Sequence, residues 1–307
     1  MKKWHYHFLL LLMALLWGAA WSWGRAVVQE VSPLVAAAGR FWIASLALLP
    51  WLIYRQQIKP LFTLSRKQFY GLFIASLFGV FGYSICFMYA MQYVPASKAA
   101  TTAALNSVVP TLAAAWLFKE YLNGKILLGI LTATYGGLFA ISRGSPIDFL
   151  SGSVGAGEYW LLLSVLCWTG YALVGRMVLR GISPLITTLA TSLMGAVLLT
   201  AFSFWLDGQT GWLALWQASQ TAQLSLFALG FGGTSLAYLW YFAGIQNLGV
   251  GTASSYLILV PIFGIAIAVI WLNEPLDLSL IIGGALVLVG MLLMNWARSR
   301  LNKNATH

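Results

Sequence analysis

Ten apolar segments of about 20 residues follow one another along the chain, and short polar connectors separate them. A helix needs about 20 apolar residues to cross the roughly 30 Å hydrocarbon core of a bilayer. The sequence therefore predicts an all-α membrane protein with ten transmembrane helices. The predicted spans are residues 8–28, 34–54, 68–91, 97–118, 125–141, 157–179, 184–206, 223–246, 252–272 and 278–296.

Composition agrees with this prediction. Hydrophobic residues make up 60% of the 307 residues and charged residues only 8%, more apolar surface than a water-soluble fold of this length could bury. The first span follows Lys2 and Lys3, but it is longer than the core of a signal peptide and a second span follows at once, so we expect it to be retained. The net charge of +10 is spread over connectors, which argues against a nucleic-acid partner and for the lipid bilayer.

The distribution of basic residues predicts the orientation in the membrane. If the N-terminus is cytoplasmic, 13 of the 17 Lys and Arg residues fall on the cytoplasmic side, as the positive-inside rule requires. We therefore expect a multi-pass protein of the cell inner (plasma) membrane with both termini in the cytoplasm. One long connector, 207–222, contains GWLALWQASQ, whose spacing fits either a short interfacial helix or a plain loop.

One phrase occurs twice: WGAAWSWGRAVVQEVSPL at 17–34 returns 151 residues later as WTGYALVGRMVLRGISPL at 168–185. Later landmarks recur 154 residues apart, namely Gln92 with Gln246, Glu120 with Glu274, Gly129 with Gly283 and Gly136 with Gly290. These matches predict two five-helix repeats, 1–150 and 151–307. Because five is odd, the second repeat must enter the membrane from the opposite face. Inverted repeats of this kind are frequent in secondary transporters, whose substrate site lies near the midplane; a duplication kept only for packing is the alternative.

The combination of these features resembles the EamA family of the drug/metabolite transporter superfamily. The resemblance rests on the ten-helix plan, the repeated W…GR…SP phrase, Arg40 in AGRF, and a Glu closing the fourth and ninth helices in FKEYL and LNEPL. It covers nearly the whole chain and implies export of small metabolites, amino acids among them. The prolines before the two closing Glu residues, Pro110 and Pro261, are not at equivalent positions, so we expect the halves to kink at different heights.

Aromatic residues at mid-depth are the main candidates for a substrate site, because the interfacial belt of Trp and Tyr does not explain them. Trp17, Trp21 and Gly24 share one helix face, as do Trp168, Tyr171 and Gly175. Facing each other, these surfaces would form an aromatic-walled cavity suited to flat, apolar or cationic solutes; contact with lipid is the alternative. The candidate substrate-binding residues are Trp17, Trp21, Arg40, Tyr83, Asn106, Trp168, Tyr171, Tyr238 and Tyr256.

Few polar residues lie within the spans. Asn106 needs either a partner on a neighbouring helix or a water-filled cavity. Arg40 lies somewhat deeper in its span and is a candidate to bind a substrate carboxylate through two parallel hydrogen bonds. Arg25 and Arg176, which precede the two Ser-Pro pairs, are either alternating gates or anchors whose charged ends reach the interface.

Several classes of function lack their usual residues. No Asp or Glu lies at mid-span and the histidines are terminal, so facilitated diffusion is favoured over a carboxylate proton relay, with Lys98 or a helix-end Glu as the alternative for coupling. No phosphate loop, GxSxG or HExxH motif occurs, and Cys86 and Cys167 lie in apolar runs. We therefore expect a transporter that uses alternating access and that has no enzymatic activity, metal or cofactor.

Two other functions remain alternatives to metabolite export. A transporter of nucleotide sugars or other anionic metabolites would need several buried basic residues, and Arg40 is the one candidate. A structural or receptor protein would need no polar cavity.

The sequence does not indicate the oligomeric state. Helices five and ten are expected to be scaffold, because glycines suited to close packing line both: Gly129, Gly136, Gly137, Gly283, Gly284 and Gly290.

Overall fold

The computed structural model describes residues 3–102, 105–119, 123–145, 155–178 and 181–304. Within these ranges there is no strand, and ten helices are long and apolar enough to cross a membrane. The prediction of an all-α fold with ten spanning helices is therefore confirmed. These helices are α1 Lys3–Val28, α2 Pro33–Tyr54, α3 Arg66–Tyr93, α4 Ala96–Phe118, α5 Gly124–Ile141, α6 Ala156–Val178, α7 Pro184–Leu206, α8 Gln220–Leu248, α9 Thr252–Leu272 and α10 Leu278–Asn304.

Glu120, the predicted closing residue of the fourth helix, lies outside the described residues. The sequence left the connector after α7 as either a helix or a loop, and it forms the helix Gly208–Gln217. A second short helix, Ile58–Phe62, lies between α2 and α3.

The repeated Ser-Pro pairs mark helix starts. Pro33 and Pro184 occupy the first positions of α2 and α7, where the missing N–H of proline costs no hydrogen bond and its fixed φ suits the helix. Ser65 caps α3 through a reciprocal pair of bonds with Gln68, and Ser219, 154 residues later, caps α8. Equivalent helices of the two repeats therefore start with the same residue types.

Helix irregularities also recur with the repeat. π-Helical segments interrupt α3 at Leu77–Gly82 and α8 at Ala228–Leu236, and the ranges overlap when shifted by 154 residues. α9 contains a 3₁₀ turn at Tyr256–Ile258, three residues before Pro261, whose ring removes a helical hydrogen bond there. π-Segments of this kind are frequent at functional sites.

Contacts divide the chain into two compact units. The first unit is Met1–Ser22, Val94–Tyr159 and Trp240–His307, and the second unit is Trp23–Tyr93 and Trp160–Leu239. Each unit takes helices from both predicted repeats, so the units do not coincide with the repeats. The repeat boundaries 1–150 and 151–307 remain a prediction from the sequence.

In the first unit, α5 packs against α10 through glycines. A Cβ added at Gly136 would lie 2.7 Å from the carbonyl oxygen of Gly283, and one at Gly129 would lie 2.7 Å from that of Gly290. Residue numbers increase along α5 as those of the contacting residues decrease along α10, so the two helices are antiparallel. Buried Ile126, Ile130, Val287, Met291 and Met294 form the core beside them.

In the second unit, α2 and α7 are antiparallel over their whole length. The Ser32 hydroxyl donates to the Asp207 carboxylate at one end, and the Ser183 hydroxyl donates to Gln57 Oε1 over 2.7 Å at the other. Leu48, Leu52, Leu185, Ile186 and Leu189 form an apolar cluster between the helices. In both units, helices at equivalent repeat positions therefore run in opposite directions, which is consistent with an inverted repeat.

Candidate functional site

A small polar cavity lies within the second unit, bounded by α2, α3, α6, α7 and α8. Its volume is about 20 Å³, room for about one water molecule. It combines one charged side chain with tyrosines and hydroxyls. The residues that line it are Arg40, Phe41, Gly79, Val80, Tyr83, Tyr171, Thr188, Thr191, Ser192, Thr234 and Tyr238.

Arg40 is the charged residue of this cavity and is only 7% exposed. Its Nε donates to Thr234 Oγ1 over 2.8 Å, and its guanidinium carbon lies 5.1 Å and 5.6 Å from the ring centroids of Phe41 and Phe87. Among the residues that the structure describes, no Asp or Glu forms an ion pair with Arg40, and its Nη nitrogens make no hydrogen bond. A buried charge without a counter-ion is costly, so Arg40 is suited to an anionic ligand.

The π-helical segment of α8 positions the Arg40 side chain. Thr234 Oγ1 donates its proton to the carbonyl of Leu229, five residues earlier, and thereby presents a lone pair to Arg40 Nε. Close packing of α2 and α8 brings the two residues together, because a Cβ at Gly230 would lie 2.7 Å from the Arg40 carbonyl oxygen. The irregular hydrogen bonding of α8 therefore has a direct effect on the cavity.

Three of the predicted tyrosines line the cavity, and a predicted tryptophan packs behind them. The Trp168 ring lies 5.5 Å from Tyr83 and 5.5 Å from Tyr171, so it supports both rings but is not a lining residue. Gly79 makes room for the Tyr171 ring, since a Cβ there would lie 2.4 Å from Tyr171 Cδ2.

Hydroxyl groups of α7 and α8 also line the cavity and were not among the predicted site residues. Thr188, Thr191 and Ser192 come from the run TTLATS, and Thr191 lies 151 residues after Arg40, at the equivalent position of the other repeat. One repeat thus contributes a guanidinium where the other contributes a hydroxyl. The 151-residue offset between the repeats, applied to Arg40, would have indicated Thr191 as a site residue.

The remaining predicted binding residues lie in the first unit. The Trp17 ring is 5.3 Å from Tyr241, Trp21 is buried, and the Tyr256 hydroxyl is hydrogen-bonded to His7 Nδ1 over 2.9 Å. Asn106 Oδ1 is buried and has no hydrogen-bond partner within the described ranges. The nine candidates therefore separate into two groups, with Arg40, Tyr83, Trp168, Tyr171 and Tyr238 in the second unit.

The two candidate gating arginines have different surroundings. Arg25 donates from Nη1 to the carbonyl of Met91 at the end of α3. Arg176 is exposed near the end of α6. Their roles as gates or anchors remain predictions.

Carboxylates at helix ends hold the connectors in place. In the first unit, Glu274 accepts from the backbone N–H groups of Ala96 and Ser97 over 2.7 and 2.8 Å, and Lys98 Nζ lies 3.2 Å from Asp277 Oδ2. In the second unit, Glu30 accepts from Ser219 Oγ and N, and these two bonds lower the pKa of Glu30. The described residues include no group of three or more His, Cys, Asp or Glu suited to a metal ion.

Comparisons with known proteins agree with this architecture. Residues 4–142 and 155–296 match the EamA-like transporter family. The uncharacterized transporter YyaM of Bacillus subtilis is 27% identical over 301 residues, which cover 95% of this chain and 94% of the relative. An uncharacterized transporter of Archaeoglobus fulgidus is 26% identical over 292 residues, covering 94% and 96% of the two chains.

More distant matches extend the comparison. A WAT1-related protein of Arabidopsis thaliana is 23% identical over 307 residues, 90% of this chain and 82% of the relative. A solved crystal structure with 18% identity has a TM-score of 0.67 and covers 95% of this chain and 98% of its own, which shows a shared fold. The family match spans nearly all ten helices. The chain is therefore a multi-pass membrane transporter and belongs to the EamA-like transporter family.

Proposed function

We propose that this protein is a secondary transporter of the cell inner (plasma) membrane that exports small metabolites bearing a carboxylate, either amino acids or hydrophobic and aromatic compounds. The observation that carries the proposal is the buried Arg40 guanidinium, whose Nη nitrogens have no hydrogen bond among the described residues. A guanidinium binds a carboxylate through two parallel N–H···O bonds. The three tyrosine rings beside it suit an apolar or aromatic side chain.

Transport in this proposal follows alternating access. The cavity of about 20 Å³ is much smaller than the roughly 300–1,000 Å³ of ordinary small-molecule sites. It has room for about one water molecule and not for a metabolite, so binding requires the surrounding helices to move apart. The π-helical segments of α3 and α8 border the cavity and are the natural places for this movement.

The distribution of charge supports a facilitator with both termini in the cytoplasm. The basic side chains follow the positive-inside pattern. No Asp, Glu or His is among the residues that line the cavity, and Glu30, Glu274 and Asp277 are engaged at helix ends. Solute therefore moves down its own gradient in this proposal, without a carboxylate relay for protons.

A transporter of nucleotide sugars fits the cavity less well. A diphosphate carries two negative charges and is usually held by several basic groups. Arg40 is the one basic residue that lines this cavity, and the other buried basic side chain in the described ranges, Lys98, pairs with Asp277 in the first unit. A single carboxylate matches the single guanidinium.

Counterflow in proteoliposomes tests the proposal. Labelled Trp, Phe, Thr and Cys are offered with and without a proton gradient, and a nucleotide sugar is offered in parallel. We expect at least one amino acid or aromatic solute to exchange without a proton gradient. Arg40→Gln is expected to reduce that exchange more than about tenfold, as for loss of a charged hydrogen-bonding pair.

Arg55→Gln is the matched control, because Arg55 lies at the exposed end of the same helix, over the Trp51 ring. It removes an equal charge outside the cavity and should leave exchange unchanged. Exchange of neither an amino acid nor any other carboxylate solute, or equal exchange by the wild type and Arg40→Gln, would contradict the proposal.

A further inference from the structure

The cavity has an unbalanced positive charge. Arg40 is the charged member of the eleven residues that line it, and the rest are uncharged. Within the described ranges, the carboxylates of the second unit, Glu30 and Asp207, are bonded to Ser219 and Ser32 at helix ends. The protein therefore supplies one cation and leaves the anion to the ligand.

This imbalance discriminates between two kinds of carboxylate. A monoanion neutralises Arg40 and makes the occupied cavity neutral overall. A zwitterionic amino acid neutralises Arg40 with its carboxylate but brings an ammonium group a few ångströms away, in a site of low dielectric constant with no acid to pair with it. Burying a charge without a partner is strongly unfavourable, and repulsion between two cations adds to that cost.

The hydroxyls of α7 favour a ligand that has an uncharged hydrogen-bond donor on the carbon next to its carboxylate. Thr188 Oγ1 donates its proton to the carbonyl of Pro184 over 2.9 Å, and Thr191 Oγ1 donates to that of Thr187 over 2.8 Å. Since their protons are engaged, these oxygens offer lone pairs to the cavity. A hydroxyl on the ligand can donate to such a lone pair without adding charge.

We infer that the Arg40 cavity takes small 2-hydroxy monocarboxylates in preference to the corresponding amino acids. The inference rests on the proposed function and narrows its substrate class. In this arrangement the carboxylate binds the two Nη nitrogens of Arg40, and the 2-hydroxyl lies toward Thr188. The side chain of the ligand lies among Tyr83, Tyr171 and Tyr238.

Matched pairs of solutes test this inference. Each pair differs only by a hydroxyl in place of the ammonium group: lactate with alanine, and 3-phenyllactate with phenylalanine. The full-length protein is assayed in proteoliposomes for counterflow of each labelled compound. We expect the hydroxy acid of at least one pair to exchange at concentrations about tenfold or more below those its amino acid needs, as expected for an unpaired buried charge. Arg40→Gln should abolish the difference, and Arg55→Gln should preserve it.

A binding measurement separates failure of the inference from failure of the proposed function. The melting temperature of the purified protein in detergent is recorded with each compound, since a ligand that binds the folded state raises it. If amino acids exchange as well as or better than hydroxy acids, the inference is overturned and the proposed function stands. If nothing exchanges, the proposed function fails. In that case, a rise in melting temperature with the hydroxy acids alone that is absent in Arg40→Gln would still support an anion site at Arg40. If the melting temperature does not rise with the hydroxy acids, the inferred site is overturned as well.

Discussion

Arg40 is held at one edge by Thr234, and this bond leaves its two Nη nitrogens without a hydrogen bond among the described residues. A positioned guanidinium loses less freedom on binding a carboxylate than a mobile one does. Thr234 therefore acts on the ligand through Arg40.

Thr234→Val tests this positioning role. Valine has nearly the shape of threonine but offers no acceptor to Arg40 Nε, so we expect the solute concentration for half-maximal counterflow to rise about fivefold to tenfold, in line with a hydrogen bond to a charged group. Thr132→Val on α5 is the matched control, because the Thr132 hydroxyl donates only to the carbonyl of Leu128 in its own helix. Equal effects of the two substitutions would contradict the role of Thr234.

The surroundings of Asp277 indicate that the folded protein loses stability at acid pH. Burial alone would raise its pKa, but bonds from Ser279, the Leu280 N–H and Lys98 outweigh burial and hold the pKa of Asp277 below its usual value. A carboxyl group with a lowered pKa stabilises the folded state above its unfolded pKa of about 3.9, and the stabilisation is lost as pH falls through the folded pKa. The melting temperature in detergent should therefore fall in that acid range.

Asp277→Asn should lower the melting temperature at neutral pH and flatten its decline in acid. Glu158→Gln, at the first turn of α6, is the control and should retain the wild-type decline. The same acid-side slope in Asp277→Asn as in the wild type would show that this group does not contribute.

At the residue scale, side chains that are rare in membrane spans were predictable and common ones were not. A mid-span Arg or Tyr stands out in an apolar run, and Arg40, Tyr83, Tyr171 and Tyr238 all line the cavity. Threonine and serine bond to carbonyls of their own helix at little cost, so Thr188 and Thr234 carried no signal. The depth of a residue along its helix also does not reveal which neighbouring helices its side chain faces. Trp17 and Trp21 were predicted from their depth, but they lie in the first unit, and the cavity lies in the second.

Among the helices, the α5–α10 pair depends most directly on glycine. A Cβ added at Gly136 would lie 2.6 Å from Leu286 Cβ and 2.7 Å from the Gly283 carbonyl oxygen, whereas one at neighbouring Gly137 would lie 3.7 Å from Leu105 Cγ. Backbone atoms cannot move aside as a flexible side chain does. The two glycines therefore differ in what they tolerate.

Gly136→Ala should destabilise the protein by about 1–3 kcal/mol through overpacking. Gly137→Ala, the adjacent control, meets only ordinary van der Waals distances and should be neutral or slightly stabilising, because alanine favours the helix. Thermal unfolding in detergent measures both. A Gly136→Ala protein as stable as Gly137→Ala would contradict the close packing of α5 on α10.

Helix positions were largely predictable because length and hydropathy determine a span. Every predicted span is matched, although α1 and α10 extend to Lys3 and Asn304, since polar residues continue a helix beyond its apolar part. The π-helical segments at Leu77–Gly82 and Ala228–Leu236 were not predictable. They differ from an α-helix only by which carbonyl each N–H reaches, and composition does not encode that choice.

For the whole molecule, the antiparallel orientation of α2 and α7, and of α5 and α10, agrees with the inverted repeat expected from an odd number of helices per copy. The sequence did not predict that each compact unit would combine helices of both repeats. A repeat shows which segments are related, but the packing of one helix against another depends on small residues and side-chain shape.

Access to the cavity from both sides of the membrane tests the central claim most directly. Cys86 and Cys167 are the only native cysteines, so replacing both with serine gives a background in which Ser192→Cys places a single thiol in the cavity lining. A membrane-impermeant thiol reagent is then applied to right-side-out and to inverted vesicles. We expect labelling from each side, slowed by a transported solute in both cases. Labelling from one side only, or from neither, would contradict alternating access at the Arg40 cavity.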